Sequence, residues 1–291
     1  MNHKVVLSCI FSLLMCACSH DVDYGDESGR IQGQIMAPSS RTYLDGGKVI
    51  WKANDAISVF TPNGFHYKCV LTSGENTSNA TFQYQSVIQS SGHGPSVNYA
   101  VYPFSENHNL NDGHTIDVDL ISWKKQTYTE NSFEDDKSFM TGKSADTSFP
   151  FYNAHSLARV RLSSVVPGAY SISSVSLSSQ SAVLNGKATI DMTVERPILV
   201  LEETDEVSCK TNTLVCNDDV VLTDETIDFY ILMPAGDYSD LTLTVTGVNE
   251  LESSSVTWSK TYSNITFQRS MIETFTHQFA ALDFSGQIKP D

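Results

Sequence analysis

Basic residues are scarce in this sequence. Its 291 residues include 18 Lys and Arg against 34 Asp and Glu, which gives a formal net charge of −16. Proteins that bind phosphate backbones or anionic membrane surfaces need clustered cations, because binding works by neutralising those charges. We therefore expect no nucleic-acid partner.

Known catalytic signatures are missing as well. The sequence has no GxSxG elbow, HExxH pair, Walker loop, or GxGxxG after a strand, so the common hydrolase, zinc-protease and nucleotide-binding classes are not indicated. Residues 107–113 come close to a calcium loop, but the glycine falls one place late and no Glu closes it. We expect a hydrated turn around His108 there, and predict no catalytic residue, no metal and no cofactor.

Cysteines are few, and their spacing indicates no zinc site. Three of the six lie within the first 18 residues, and no CxxC spacing is present among the others. Cys69 is expected as a small buried apolar residue. Cys209 and Cys216 could close a small disulfide loop in an oxidising compartment, or remain two separate thiols.

Long apolar runs are absent except for residues 5–15. That run follows Lys4 and is too short to span a bilayer, so residues 1–17 are predicted to be a signal peptide. Ala17-Cys18-Ser19 is typical of bacterial lipoprotein signals, which predicts a lipid, such as palmitate, on Cys18; plain secretion is the alternative. Residues 18–29 are rich in acidic residues and glycine and are predicted to be a flexible tether. Membrane contact is expected through the lipid only.

The remainder is patterned for strands. Helical periodicity is almost absent, and short alternating runs separated by turn residues predict an all-β protein. Asn185-Gly186 predicts a tight hairpin, and the apolar run 229–233 predicts a central strand buried on both sides. The polar stretch 122–150 is a candidate boundary, so we predict two domains, 30–150 and 151–291, each made of two packed antiparallel sheets.

Several segments resemble the fimbrillin family of Bacteroidales, whose members are subunits of type V pili. The resemblance lies in the lipoprotein start, Arg41-Thr42-Tyr43, residues 51–60, residues 151–162 and Asn185-Gly186-Lys187. The family usually has Gly where this chain has Asn54, a residue that a turn also tolerates.

The resemblance implies two transthyretin-like β-sandwich domains in tandem and export to the outer membrane as a lipoprotein. It also implies cleavage after an Arg or Lys near the first strand, followed by polymerisation into a surface fimbrium by donor-strand exchange. The implied partners are other copies or other pilus subunits, and a host glycan or protein receptor for an adhesive role.

This sequence contains segments that fit such an exchange. Ile31, Gly33 and Ile35 alternate with glutamines and predict a short first strand with one apolar face. Arg41 lies in a polar loop after it and is the predicted cleavage site, with Arg30 as the competitor. An extended C-terminal stretch provides a candidate donor strand with one apolar face, Ala280, Leu282 and Phe284.

Two alternatives stay open at this point. One is an uncut anchor or tip subunit of the same kind of pilus. The other is a surface lipoprotein that binds carbohydrate on exposed aromatic rings. Trp51 and Trp258 alternate with polar neighbours as core residues do, so Trp123, beside Lys124-Lys125, is the candidate platform.

Overall fold

The computed structural model describes residues 29–36 and 50–280, apart from Ser91. The first half contains β1 (Arg30–Ile35), β2 (Ala56–Phe60), β3 (Phe65–Ser73), β4 (Asn79–Ser90), β5 (Asn98–Tyr102), β6 (Asn109–Asn111), β7 (Thr115–Asp119), β8 (Lys125–Thr127), β9 (Met140–Ser144) and β10 (Ser148–Asn153). The second half contains β11 (Ser156–Ser164), β12 (Tyr170–Ser178), β13 (Lys187–Asp191), β14 (Ile198–Leu201), β15 (Thr211–Val221), β16 (Ile227–Met233), β17 (Gly236–Tyr238), β18 (Leu241–Asn249), β19 (Ser254–Tyr262), β20 (Ile265–Phe267) and β21 (Ile272–Phe279). Short 3-10 helices occupy Ile121–Lys124, Asp135–Lys137 and Val207–Lys210. Strands dominate, which confirms the predicted all-β class.

Seven strands of the first half close into a barrel in the order β1-β10-β9-β5-β2-β3-β4. β1 closes it, because it runs antiparallel to β4 on one side and parallel to β10 on the other. The barrel interior is apolar and includes Ile31, Trp51, Phe82, Phe149 and Phe151. This half was predicted as two packed antiparallel sheets, and it differs because β1 joins two edges that an open sandwich would leave apart.

In the second half a three-stranded sheet packs against a five-stranded sheet, whose edge strand β8 comes from the first half. The orders are β16-β11-β21 and β19-β18-β12-β15-β8. Both sheets present their apolar residues to one core, which includes Val160, Phe229, Val175 and Leu243. The predicted two-sheet packing is therefore present here, although β11 and β21 run parallel. The tandem transthyretin-like description stays a prediction.

A four-stranded sheet joins the two halves of the chain. Its order is β14-β13-β7-β6, so β7 from the first half pairs with β13 from the second. β10 also continues across the predicted boundary at residue 150, since Phe151 pairs with Ile35 and Gly142. The chain passes from β10 to β11 at residues 154–155, so residue 150 lies within a strand, and the division into two domains stays a prediction.

No helix in the described part of the chain is long and apolar enough to cross a bilayer.

Candidate functional site

The first strand is present where the sequence predicts it, with the predicted apolar face. The side chains of Ile31 and Ile35 are buried in the barrel, whereas Arg30, Gln32 and Gln34 are exposed. The alternation follows from the two-residue period of a strand, which sends successive side chains to opposite faces. β1 is therefore held to the barrel by main-chain pairing at its edges and by a narrow apolar face.

Gly33 lies at the centre of that face and has almost no room around it. A Cβ atom at this position would lie 3.0 Å from a ring carbon of Phe82 and 3.1 Å from one of Phe151. Gly33 pairs with Ala80 on β4 and with Phe149 on β10. The two rings close over the backbone of β1, so the site accepts a strand only if the residue at this position is glycine or the rings move.

An aromatic cluster forms the floor beneath β1. The fully buried ring of Trp51 packs edge-on against Phe82, Tyr102 and Phe151, with centroid distances of 5.0, 5.4 and 5.2 Å. Its Nε1 donates a hydrogen bond to the carbonyl of Ser78 at 3.2 Å. Edge-to-face contacts of this kind hold ring positions more tightly than dispersion alone. The floor therefore resists rearrangement when the strand above it changes.

The three tryptophans are buried or half-buried. Trp51 is buried, as predicted, and Trp258 is half-buried against His277, with ring centroids 4.0 Å apart. Trp123, the candidate carbohydrate platform, is 1% exposed, and its Nε1 donates to the carbonyl of Lys137 at 2.9 Å. The prediction of an exposed Trp123 was wrong, because its 3-10 helix turns the ring inward while the neighbouring lysines face solvent.

Of the two alternatives for Cys209 and Cys216, the structure has separate thiols and not a disulfide. Cys209 lies within the short helix Val207–Lys210 and Cys216 lies within β15, and both are buried free thiols, as is Cys69. An extended strand rises about 3.3 Å per residue, so the β15 residues between them hold their Cα atoms much farther apart than the roughly 4.4–6.8 Å that a disulfide requires. Closeness in sequence indicated a small loop, but the intervening segment is a strand.

Two buried histidines lie outside the barrel wall. His66 stacks on Phe60 with ring centroids 4.4 Å apart, and neither ring nitrogen has a hydrogen-bond partner among the described residues. His108 is also buried, with its Nδ1 2.9 Å from the hydroxyl oxygen of Ser58, so the expected hydrated turn was wrong. Burial lowers the pKa of His66 to about 4, and burial together with His66 lowers that of His108 to about 3. Both are therefore neutral at pH 7. No cluster of three or more His, Cys, Asp or Glu in the described residues is arranged to hold a metal.

Several predicted site residues fall outside the described residues. These are Cys18, Arg41, Leu282 and Phe284. Ala280, the first residue of the predicted donor face, is exposed at the end of β21, and its carbonyl accepts a hydrogen bond from Tyr170 at 3.1 Å. The described residues include the first strand, and both its displacement and the donor strand stay predictions from the sequence.

No protein-family model matches the chain, and no curated protein gives a significant match. Among solved structures, a proposed cell adhesion protein from Bacteroides uniformis is similar with a TM-score of 0.53 at 17% identity, over 89% of this chain and 96% of that one. A proposed cell adhesion protein from Bacteroides ovatus gives a TM-score of 0.55 at 11% identity, over 86% and 91% of the two chains. At such identities the likeness shows a shared fold. These neighbours are consistent with the resemblance of the sequence to Bacteroidales fimbrillins.

Proposed function

We propose that this protein is a structural subunit of an adhesive cell-surface fimbrium, built from two transthyretin-like domains, which assembles by donor-strand exchange. The observation that carries the proposal is the position of β1. It is the first described strand of the chain, and it fills the barrel between β4 and β10. One cut in residues 37–49 would detach it without breaking any other strand of the barrel.

Loss of β1 would leave a groove that favours refilling. Burial of Ile31 and Ile35 contributes roughly 1.5–3 kcal/mol per side chain, and removing them exposes the aromatic floor at Phe82 and Phe151. β4 and β10 would each present an unpaired row of main-chain donors and acceptors. Such edges recruit an extended segment from another chain. The vacant groove is therefore an assembly site.

The position of β1 supports one of the two candidate cleavage sites. Arg30 is the first residue of β1 and pairs with Gln83 on β4. A cut after Arg30 would leave residues 31–35 joined to the rest of the chain, so the strand would stay in place. A cut after Arg41 would release the whole strand, and we assign the processing step to Arg41.

The C-terminal segment is the proposed donor. In β21, Phe275 and Phe279 are buried whereas Thr276 and Gln278 are exposed, as is Ala280 directly after the strand. Leu282 and Phe284 have the same even numbering as the exposed residues. In an extended strand their apolar side chains would lie on the face opposite the buried residues of β21, which supports their role as donor to a second subunit.

The proposed location and partners follow from the predicted lipid on Cys18 and the proposed strand exchange. Lipid on Cys18 would anchor the subunit in the outer membrane until cleavage, after which the subunit enters the surface fimbrium together with other copies or other pilus subunits. A non-enzymatic role is supported by neighbours described as cell adhesion proteins.

The test is to treat the purified mature chain with an arginine-specific protease. We expect a new N-terminus at Thr42 and a ladder of oligomers on gels run without boiling. Arg41→Ala should abolish both results, and Arg30→Ala should leave both unchanged. A protein that is cut after Arg41 and stays monomeric would overturn the proposal. On intact cells, a protein that starts at lipidated Cys18 and is never cut would indicate the uncut anchor or tip subunit instead.

A further inference from the structure

A second segment of the chain repeats the pattern of the first strand. Residues 31–35 read Ile-Gln-Gly-Gln-Ile, and residues 284–288 read Phe-Ser-Gly-Gln-Ile. Both place an apolar residue, a polar residue, glycine, glutamine and isoleucine in the same order. The tripeptide Gly-Gln-Ile occurs only at these two places in the 291-residue sequence.

The groove gives this repeat a physical meaning. A strand in the place of β1 must cross Phe82 and Phe151 at a point where a Cβ atom would lie 3.0–3.1 Å from their rings. Real Cβ contacts are rarely so short, so glycine is required there unless the rings shift. Gly286 is the only glycine that follows Gly247 in the sequence, and it shares the parity of the donor residues Leu282 and Phe284.

We propose that residues 284–288 of one copy replace residues 31–35 of another, with Gly286 in the place of Gly33 between Phe82 and Phe151. This inference rests on the proposed strand exchange and specifies its register. Phe284 then takes the place of Ile31, and Ile288 takes that of Ile35.

The same register gives the donor a contact that the first strand does not make. Position 29 is a glycine in this chain, and a Cβ atom there would lie 3.7 Å from a ring carbon of Tyr84, an ordinary van der Waals distance. In the proposed alignment Leu282 occupies that position. The donor therefore covers Tyr84 with an apolar side chain that β1 lacks, which favours exchange over return of the first strand.

Peptide binding tests the register. The full chain carries an engineered protease site within residues 37–49, so that β1 can be released whether or not Arg41 is the natural site. After cleavage, uptake of a labelled peptide of residues 280–291 is followed by fluorescence anisotropy. We expect Gly286→Val to weaken binding at least tenfold and Ser285→Val to change it less than threefold, because only residue 286 faces the rings. Leu282→Gly should weaken binding several-fold.

The outcomes separate this inference from the proposed function. If the cut protein takes up neither this peptide nor one of residues 29–36, strand exchange itself fails. If it takes up residues 29–36 but not 280–291, exchange stands and the donor assignment is wrong. If Gly286→Val binds as well as the unaltered peptide, or if Ser285→Val fails equally, the register is wrong.

Cross-linking in assembled protein provides an independent measurement. Gln34 pairs with Asn79, and Arg30 pairs with Gln83, on β4. In the proposed register Gln287 takes the place of Gln34, so Gln287→Cys in one copy should form a disulfide with Asn79→Cys in its neighbour. The pair Gln287→Cys and Gln83→Cys lies four residues out of register and should not cross-link. The reverse result would overturn the alignment.

Discussion

The side chain of Gln126 on β8 accepts a hydrogen bond from a buried backbone N–H at the edge of a sheet. β16 lies at the edge of its sheet, yet Leu232 on it is fully buried. The backbone N–H of Leu232 donates to Oε1 of Gln126 at 2.7 Å, and Nε2 of Gln126 donates to the carbonyls of Trp123 and Leu232 at 2.9 and 3.2 Å. A buried amide thus acts as the missing neighbouring strand, and it joins the first half of the chain to the second.

The substitution Gln126→Leu keeps the volume and removes these hydrogen bonds. Leu232 keeps a partner for its carbonyl, because Nδ2 of Asn212 donates to it at 3.0 Å. Its N–H loses the side chain that accepts from it, at a cost of about 1–3 kcal/mol for an orphaned buried donor. The carbonyl of Trp123 loses a donor too, and the extra apolar burial of leucine offsets part of the loss. We expect a net destabilisation of about 2 kcal/mol, a factor of roughly 30 in the unfolding equilibrium.

Urea unfolding measures this loss as a lower midpoint at an unchanged slope. Gln89→Leu is the matched control, since the amide of Gln89 bonds Asn109 at an exposed site, and exposed changes stay within about 0.5 kcal/mol. The substitution Gln126→Glu tests the direction in which stability changes with pH. A buried carboxylate has a raised pKa and cannot donate, so this variant should be least stable at neutral pH and regain stability as the pH falls and the side chain becomes protonated.

A loss below about 0.5 kcal/mol for Gln126→Leu would refute the reasoning. It would mean that water or a backbone shift satisfies Leu232 without the amide. An equal loss for Gln89→Leu would refute it in another way, because burial would then not be the cause.

Three further predictions concern other buried groups. Burial lowers the pKa of His66 to about 4 in the fold from 6.5, so the unfolded state binds more protons between these values and stability falls as the pH drops from 6.5 to 4. His66→Phe, stacked on Phe60 in its place, should make that fall in melting temperature smaller without removing it, because buried His108 and His155 also have lowered pKa values; an unchanged profile would contradict this. Gly247→Ala should destabilise strongly in thermal melts, because its Cβ would clash with the carbonyl oxygen of Ser171, whereas Gly236→Ala, whose Cβ would lie no nearer than 3.8 Å to its neighbours, should not. The buried thiols of Cys69, Cys209 and Cys216 should react slowly with a thiol reagent in the folded protein and fully in denaturant, in the absence of reductant. If two of these thiols did not react in denaturant, the disulfide hypothesis would be restored.

Local periodicity predicted much of the fold. The alternation at residues 31–35 predicted both β1 and its buried face. Asn54 has a φ of 68°, the left-handed conformation that favours the glycine usual in the family. Each of these features is decided by neighbours in sequence, which is why the sequence alone reveals them.

Features decided by distant residues could not be predicted. Asn185-Gly186 indicated a hairpin, but no strand precedes β13 there, and the prediction was wrong. Instead, the amide of Asn185 donates to the side-chain oxygen of Asn212 at 3.0 Å, and Gly186, with φ of 112°, lies against Cys209. Residues 229–233 of β16 are all buried, as predicted, but β16 is an edge strand and not a central one, and Gln126 and Asn212 hydrogen-bond to its Leu232. Closure of the barrel by β1 could not be predicted either, because its partner β10 lies more than a hundred residues further along the chain.

The covalent connection of β1 to the rest of the barrel explains how cleavage would start assembly. While β1 is attached, it competes for the groove at an effective concentration of order 1 mM, as short linkers give. A donor from a second copy at about 1 μM has a concentration about a thousandfold lower, which disfavours its binding by roughly 4 kcal/mol. The added contact of Leu282 with Tyr84 offers at most about 1.5–3 kcal/mol, the range for burying such a side chain, which does not close that gap. After the cut β1 no longer has this higher effective concentration, and the contact of Leu282 with Tyr84 favours the donor. Uncut protein at micromolar concentration should therefore stay monomeric however long it is incubated.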